Sequence, residues 1–197
     1  MAHIDYYFFP LSPFAYLAGN RLEEIAQKHG ATITYKPMAL MEVFAQTGGT
    51  PPAQRHISRK SYRAQELARV AKATNMPISE TPAFWPTNAV PSCYAVIAAQ
   101  RAGGGDLGGL CQSFLRACWV EDKDISQDDV IREALSANGF DPALADSDML
   151  TSAQEFTQNT EDAVKNNVFG APSYVINGQV FWGQDRLGYL DDYLAEL

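Results

Sequence analysis

A chain of 197 residues with 46% hydrophobic and 19% charged side chains can build one sizeable core, and two full catalytic domains would be cramped in it. Its 15 basic and 23 acidic residues leave a formal charge of -8, which excludes a general cationic face for nucleic acid or an anionic membrane. Cys93, Cys111 and Cys118 form no C-x-x-C and cannot all pair, which argues against a disulfide scaffold and a dithiol redox centre.

The N-terminal MAHIDYYFFPLSPF has neither the basic region nor the unbroken apolar stretch of a secretory signal, so a cytoplasmic location is expected. No apolar run approaches the length of about 18 residues that a membrane span needs. Ile4 to Phe9 is aromatic and nearly continuous in apolarity, the pattern of a strand buried on both faces, with Asp5 its one charge. Ser12 is placed to cap a helix whose first residue is Pro13. Phe14, Ala18, Leu22, Ile25, Ala26 and His29 recur on one face and predict a single helix running to Gly30. Ala31 to Tyr35 then reads as a second strand, so that strand, helix and strand form a parallel crossover with turns at Gly30 and Pro37.

From about Ala39 to Asn167 the pattern is helical, broken by loops at Thr47 to Pro52, Asn75 to Ala89 and Ala102 to Gly109. Helices are predicted over Ser58 to Thr74 and Ser92 to Arg101, and a third buries Leu110, Phe114, Leu115 and Val120. Cys111 and Cys118, seven residues apart, share one side of that third helix. Further helices start near Asp128-Asp129 and cover Ser152 to Asn166. Glu121 to Asp162 holds 12 acidic residues against Lys123 and Arg132, read most simply as solvated helix faces. Ser173 to Ile176 and Val180 to Trp182 form a hairpin about Asn177-Gly178, and Arg186 to Leu197 closes the chain as a helix. The order β-α-β, helices, β-β-α predicts one α/β domain from residues 1–38 and 168–197, with 39–167 inserted as a helical domain.

The stretches DYYFFPLSPFAYLA (5–18) and VFGAPSYVINGQVFWGQDRL (168–187), with TGGTPP and RKSYRAQEL between them, resemble the 2-hydroxychromene-2-carboxylate isomerase family. That family is related to kappa-class glutathione transferases and the DsbA-type thioredoxin fold. F-x-x-x-S-P, F-G-x-P and W-G-x-D-R are weak separately and strong together in this order. The resemblance implies a thioredoxin-like core with a large all-helical insertion, glutathione as cofactor, a small aromatic carboxylate as substrate, and a homodimer. The implied reaction interconverts 2-hydroxychromene-2-carboxylate and trans-o-hydroxybenzylidenepyruvate through transient addition of the glutathione thiolate.

By the same resemblance, Ser12 takes the place of the first redox cysteine and faces the glutathione sulfur, and the tetrad ends at Ala15 without a thiol. Judged alone, Ser12 reads first as an ordinary helix cap. A cis peptide is implied before Pro172, with the Ala171 backbone pairing with glutathione. Asp185 is implied to receive the γ-glutamyl ammonium, with Arg186 as a neighbouring candidate. Lys60 is implied to meet the glycyl carboxylate or an acidic substrate, although a lysine there also reads as a solvated helix charge. Arg59, Lys60, Arg63 and Arg186 are candidates for the substrate carboxylate, and Phe14, Phe84, Trp85, Asn88 and Trp182 for the substrate pocket. Gly49 departs from the family pattern, where many relatives carry an asparagine, and puts narrow specificity in question.

Two other functions compete. One is a kappa-like glutathione transferase or peroxidase of broader specificity, which would consume glutathione. The other is a non-catalytic glutathione-binding thioredoxin-like module. His3, His29 and His56 have no ligand spacing, so no metal site is expected.

Overall fold

The computed structural model describes residues 1–197. Its sheet has four strands, β1 (His3–Phe8), β2 (Thr32–Pro37), β3 (Ser173–Ile176) and β4 (Gln179–Trp182), in the order β2-β1-β3-β4. β1 pairs with β2 in parallel and with β3 antiparallel, and β3 pairs with β4 antiparallel. The parallel crossover is therefore present, and Asn177 and Gly178, both at positive φ, turn the β3–β4 hairpin. β2 extends two residues past the expected end. Its final residue, Pro37, lacks an N–H, which an edge strand tolerates.

Successive β1 side chains enter different cores, as alternation requires. Ile4, Tyr6 and Phe8 join a cluster of 35 buried residues, whereas Tyr7 joins one of 8. Tyr6 stacks on Phe8 and Tyr174 with centroids 5.1 and 5.2 Å apart, so three aromatic rings tie β1 to β3.

The nine helices are α1 (Pro13–Tyr16), α2 (Arg21–His29), α3 (Leu40–Thr47), α4 (Ile57–Thr74), α5 (Val90–Ala102), α6 (Leu107–Trp119), α7 (Asp128–Ala137), α8 (Met149–Lys165) and α9 (Leu187–Ala195). Six of them, α3 to α8, lie between β2 and β3 and form the insertion on a mixed α/β thioredoxin-like core. α5 buries seven residues and forms its middle; α3 and α8 supply the smaller cluster with Leu40, Val43, Phe44 and Ala163. α4 buries no residue fully and rests on the core through Leu67, Val70 and Ala71.

The single helix expected from Pro13 to His29 is broken in two. Gly19 turns the chain at φ +62, and the Arg21 guanidinium donates to the Leu17 and Ala18 carbonyls (3.0 and 2.9 Å) that the break sets free. The apolar face continues across the break, so periodicity alone could not reveal it.

The loop from 75 to 89 is pinned along its length. Tyr16 donates to the Pro77 carbonyl (2.7 Å), Ser79 N–H to the Trp119 carbonyl (2.7 Å), and Thr87 to Asp124 (2.7 Å). The Asp122 carboxylate accepts from Ala83 N–H at 3.0 Å. Asp122 and Asp124 are thus anchors for this loop, a role that the solvated-face reading of the acidic segment did not contain.

Glu23 of α2 accepts a 2.7 Å hydrogen bond from the Tyr35 hydroxyl, and its second oxygen is buried without a partner. Burial raises the Glu23 carboxyl pKa, against a lowering contribution from Tyr35. A carboxyl raised in the folded state contributes stability at low pH that is lost as pH rises through its folded value. Glu23→Gln keeps an acceptor for Tyr35 and removes the charge. It is expected to raise Tm at pH 8 and to change it far less at pH 4, as read by thermal melts at both pH values; equal shifts would contradict the assignment.

Candidate active site

Ser12 lies four residues after β1, buried, with the extended backbone (φ -84, ψ 116) of an N-cap. Its Oγ accepts from Ala15 N–H at 3.3 Å and donates to the Ala171 carbonyl at 3.2 Å. Both readings of Ser12 are therefore compatible with one side chain: it caps α1, and its proton is directed across to the segment that enters β3. Because α1 is a single turn, its dipole contributes little. What the turn offers is the Phe14 N–H, which has no acceptor within the protein.

The Ala171-Pro172 peptide is cis, as the resemblance implied. The Ala171 N–H has no acceptor within the protein, and the Pro172 carbonyl accepts from Gly183 N–H at 2.9 Å. That bond joins the Ser12 neighbourhood to the loop 183–186. There Gln184 is buried and accepts from Arg21 at 2.8 Å, while Asp185 and Arg186 are exposed and paired with each other at 3.1 Å. Arg186 also lies over the Tyr189 ring, 5.7 Å from its centroid. Trp182 packs edge-on against Phe169 at 4.8 Å and over Gly170, where a Cβ would collide with the indole.

Trp85 approaches from the other side. Its indole N–H donates to the Leu11 carbonyl at 3.2 Å, beside Ser12, and the Arg63 guanidinium lies 5.6 Å from its ring centroid. Arg63 is half-buried, and burial followed by the Arg55 charge lowers its pKa. Arg55 lies 5.8 Å from the Phe44 ring centroid and donates to the Thr50 carbonyl at 2.8 Å. Phe44 occupies the space that any side chain at Gly49 would need.

Hydrogen bonds and packing thus connect Ser12, Ala171, Pro172, Trp85 and Arg63, with Asp185 two residues beyond Gly183. Phe14, on α1, is partly exposed beside them. The remaining expected residues have other attachments or lie open. The Lys60 ammonium donates to the Ala53 carbonyl at 2.7 Å, the Asn88 side chain caps Val90 N–H at 3.1 Å, and Phe84 is exposed. A groove of about 810 Å³ runs between α4 and the segment 76–81, lined by Arg63, Leu67, Ala71 and Ile78 among others, but it does not reach Ser12.

The profile of the DSBA-like thioredoxin domain matches residues 3–195. The chain belongs to that family. Within it, the chain is similar to a 2-hydroxychromene-2-carboxylate isomerase from Sphingobium xenophagum, 28% identical over 98% of both chains. It is also 25% identical to glutathione S-transferase kappa 1 of Caenorhabditis elegans, over all of this chain and 92% of the relative. A solved structure of a selenomethionine 2-hydroxychromene-2-carboxylate isomerase superposes with a TM-score of 0.79 at 25% identity, covering 98% of this chain and 95% of the other.

In this DSBA-like chain the tetrad at the start of α1 is Ser12-Pro13-Phe14-Ala15, and all three thiols lie elsewhere. Cys93, on α5, and Cys111 and Cys118, on α6, are buried. Burial raises the pKa of each thiol, that of Cys118 to about 12. Sequence reasoning overlooked Arg21, Gln184 and Arg55, and read Phe169 only as part of F-G-x-P. Arg55 had a visible signal: it begins a cationic series with Arg59 and Arg63 at spacings of four, one face of a helix extended backwards. Arg21 had none, because its role depends on the break in the helix. Ellman's reagent is expected to find no reactive thiol in the native protein and three after unfolding; fast native labelling would place a thiolate at the surface.

Proposed function

We propose that the protein is a glutathione-dependent isomerase of 2-hydroxychromene-2-carboxylate and trans-o-hydroxybenzylidenepyruvate. The observation that carries this reading is the Ser12 hydroxyl, set against Ala171 beside cis-Pro172 at a tetrad without a thiol. The end-to-end similarity to proteins named for this isomerase supports it.

The residues present fit glutathione. Ala171 has an N–H free to pair with a peptide carbonyl, and the exposed Asp185 carboxylate suits an ammonium group. The Lys60 ammonium gives one donor to the Ala53 carbonyl and keeps two for the glycyl carboxylate. When bound, glutathione supplies a thiolate whose reversible addition makes a double bond temporarily single and so permits rotation. Ser12 serves this chemistry by turning its O–H from the Ala171 carbonyl toward the sulfur while Oγ still accepts from Ala15 N–H. The Phe14 N–H is a second donor for negative charge at that point. The indoles of Trp85 and Trp182 flank the substrate, and Phe14 and Phe84 extend the apolar wall. Asn88 is a polar contact at its edge. The acting species is a homodimer, to be read by concentration-dependent sizing.

Similarity to glutathione S-transferase kappa 1 favours a second reading, conjugation with net consumption of glutathione. One assay separates the two. With the chromene carboxylate as substrate, isomer should form only with glutathione present and the glutathione should be recovered; accumulation of adduct favours the transferase, and turnover without glutathione sinks both. Ser12→Ala should fold with a loss of about 1 kcal/mol from the lost cap. Its turnover should fall by roughly a hundredfold or more, the scale for removing one donor to developing negative charge. Unchanged turnover would remove Ser12 from the chemistry.

A further inference from the structure

Most cations of this acidic chain have an acidic partner. Lys28, Lys36, Lys123, Arg69, Arg101, Arg116, Arg132 and Arg186 lie within 4.0 Å of a carboxylate, and the Arg21 guanidinium donates to three oxygens. Arg63 stands apart. It is half-buried against Trp85, yet no carboxylate lies within ion-pair distance and no protein atom accepts from its guanidinium. Arg55 is similar: half-buried on Phe44, it has one bond to a carbonyl and no acidic partner. Burial and a neighbouring arginine, Arg55 for Arg63 and Arg59 for Arg55, lower the pKa of each, so two part-desolvated guanidinium groups have cations and aromatic rings about them and no acid. In a chain with 23 carboxylates, that no acid answers them points to a ligand rather than to a missing structural pair.

The kind of anion follows from the surroundings. A guanidinium is a planar fork that matches a carboxylate, and both forks here lie against flat aromatic rings. The Trp85 indole is bonded to the carbonyl beside Ser12, so a conjugated acid lying along it would have its carboxylate near Arg63 and its unsaturated carbons toward Ser12. We propose that Arg55 and Arg63 form the site that receives the carboxylate of the aromatic substrate. Gly49 is part of this device, because only a residue without Cβ leaves Phe44 its place under Arg55. The proposal deepens the isomerase reading and rests on it for the orientation of the substrate. It also selects among the cations: Arg59, Lys60 and Arg186, the other candidates, are exposed, whereas Arg63 is half-buried on Trp85.

The test is direct binding by titration calorimetry, with unreactive S-methylglutathione present and absent. The probes are benzylidenepyruvate and its methyl ester, which differ only at the carboxyl group, ionised in one and neutral and methylated in the other. The wild-type protein should bind the acid at least roughly tenfold tighter than the ester, the scale of a hydrogen bond to a charged group. Arg63→Gln and Arg55→Gln should each erode that preference and together abolish it, and Arg63→Lys should restore only part of it. Arg69→Gln, on the same helix, should change nothing. Thermal melts should find Arg63→Gln folded and no less stable, because it removes an unpaired charge. Equal binding of acid and ester by the wild type, or a preference that survives in the double variant, overturns the proposal. So does loss of S-methylglutathione affinity with the acid preference intact, which would place the glycyl carboxylate there instead. Acid preference through Arg63 without isomerase turnover would sink the reaction and leave this site standing.

Discussion

The antiparallel pairing of β1 with β3, Asp5 to Tyr7 against Ser173 to Val175, is the constraint on which the site depends. It joins segments separated by more than four-fifths of the chain. Because Ser12 follows β1 closely and Ala171 lies two residues before β3, this register brings the hydroxyl to that carbonyl. The aromatic contacts of Tyr6 with Phe8 and Tyr174 support the register, since a slip of one residue would turn the Tyr6 ring out of the larger core and Tyr7 out of the smaller one. The loop carrying Asp185 is held through the same strands, by the bond from Gly183 to Pro172.

The parts of the fold that were legible in the sequence are those whose signal is local. Continuous apolarity from Ile4, the Ser12-Pro13 helix start and the Asn177-Gly178 turn each correspond to an element whose cause lies within a few residues. The break at Gly19 was not legible, because Phe14, Ala18 and Leu22 keep helical spacing across it and the group that satisfies the freed carbonyls, Arg21, looks like any surface arginine. Loop anchoring by Asp122 and Asp124 was hidden for a similar reason: a carboxylate that accepts from a distant backbone has the same letter as a solvated one. Of the candidate site, the motifs located Ser12, Ala171, Pro172 and Asp185, but chain spacing cannot tell which cation of a series is enclosed. That distinction between Arg63 and Lys60 needs the packing of Trp85 against the Leu11 carbonyl.

Net charge behaves differently at the two scales. Over the whole molecule, acids outnumber bases and most cations are paired with them. At Trp85 and Phe44 the balance reverses, because the charged groups that lie against those rings are Arg63 and Arg55. The substrate carboxylate proposed for Arg55 and Arg63 would be repelled weakly at long range and held at short range, which favours recognition by contact over long-range electrostatic attraction.

The partial burial of α4 has a mechanical consequence. α5, which buries seven side chains, cannot shift without disturbing the packing of the whole core, whereas α4 buries none. Ser12, Ala171 and Pro172 belong to the stiff part, and Arg63 rides on the compliant one. A substitution that loosens the packing of α4 would therefore displace Arg63 while leaving intact the two bonds that orient the Ser12 hydroxyl.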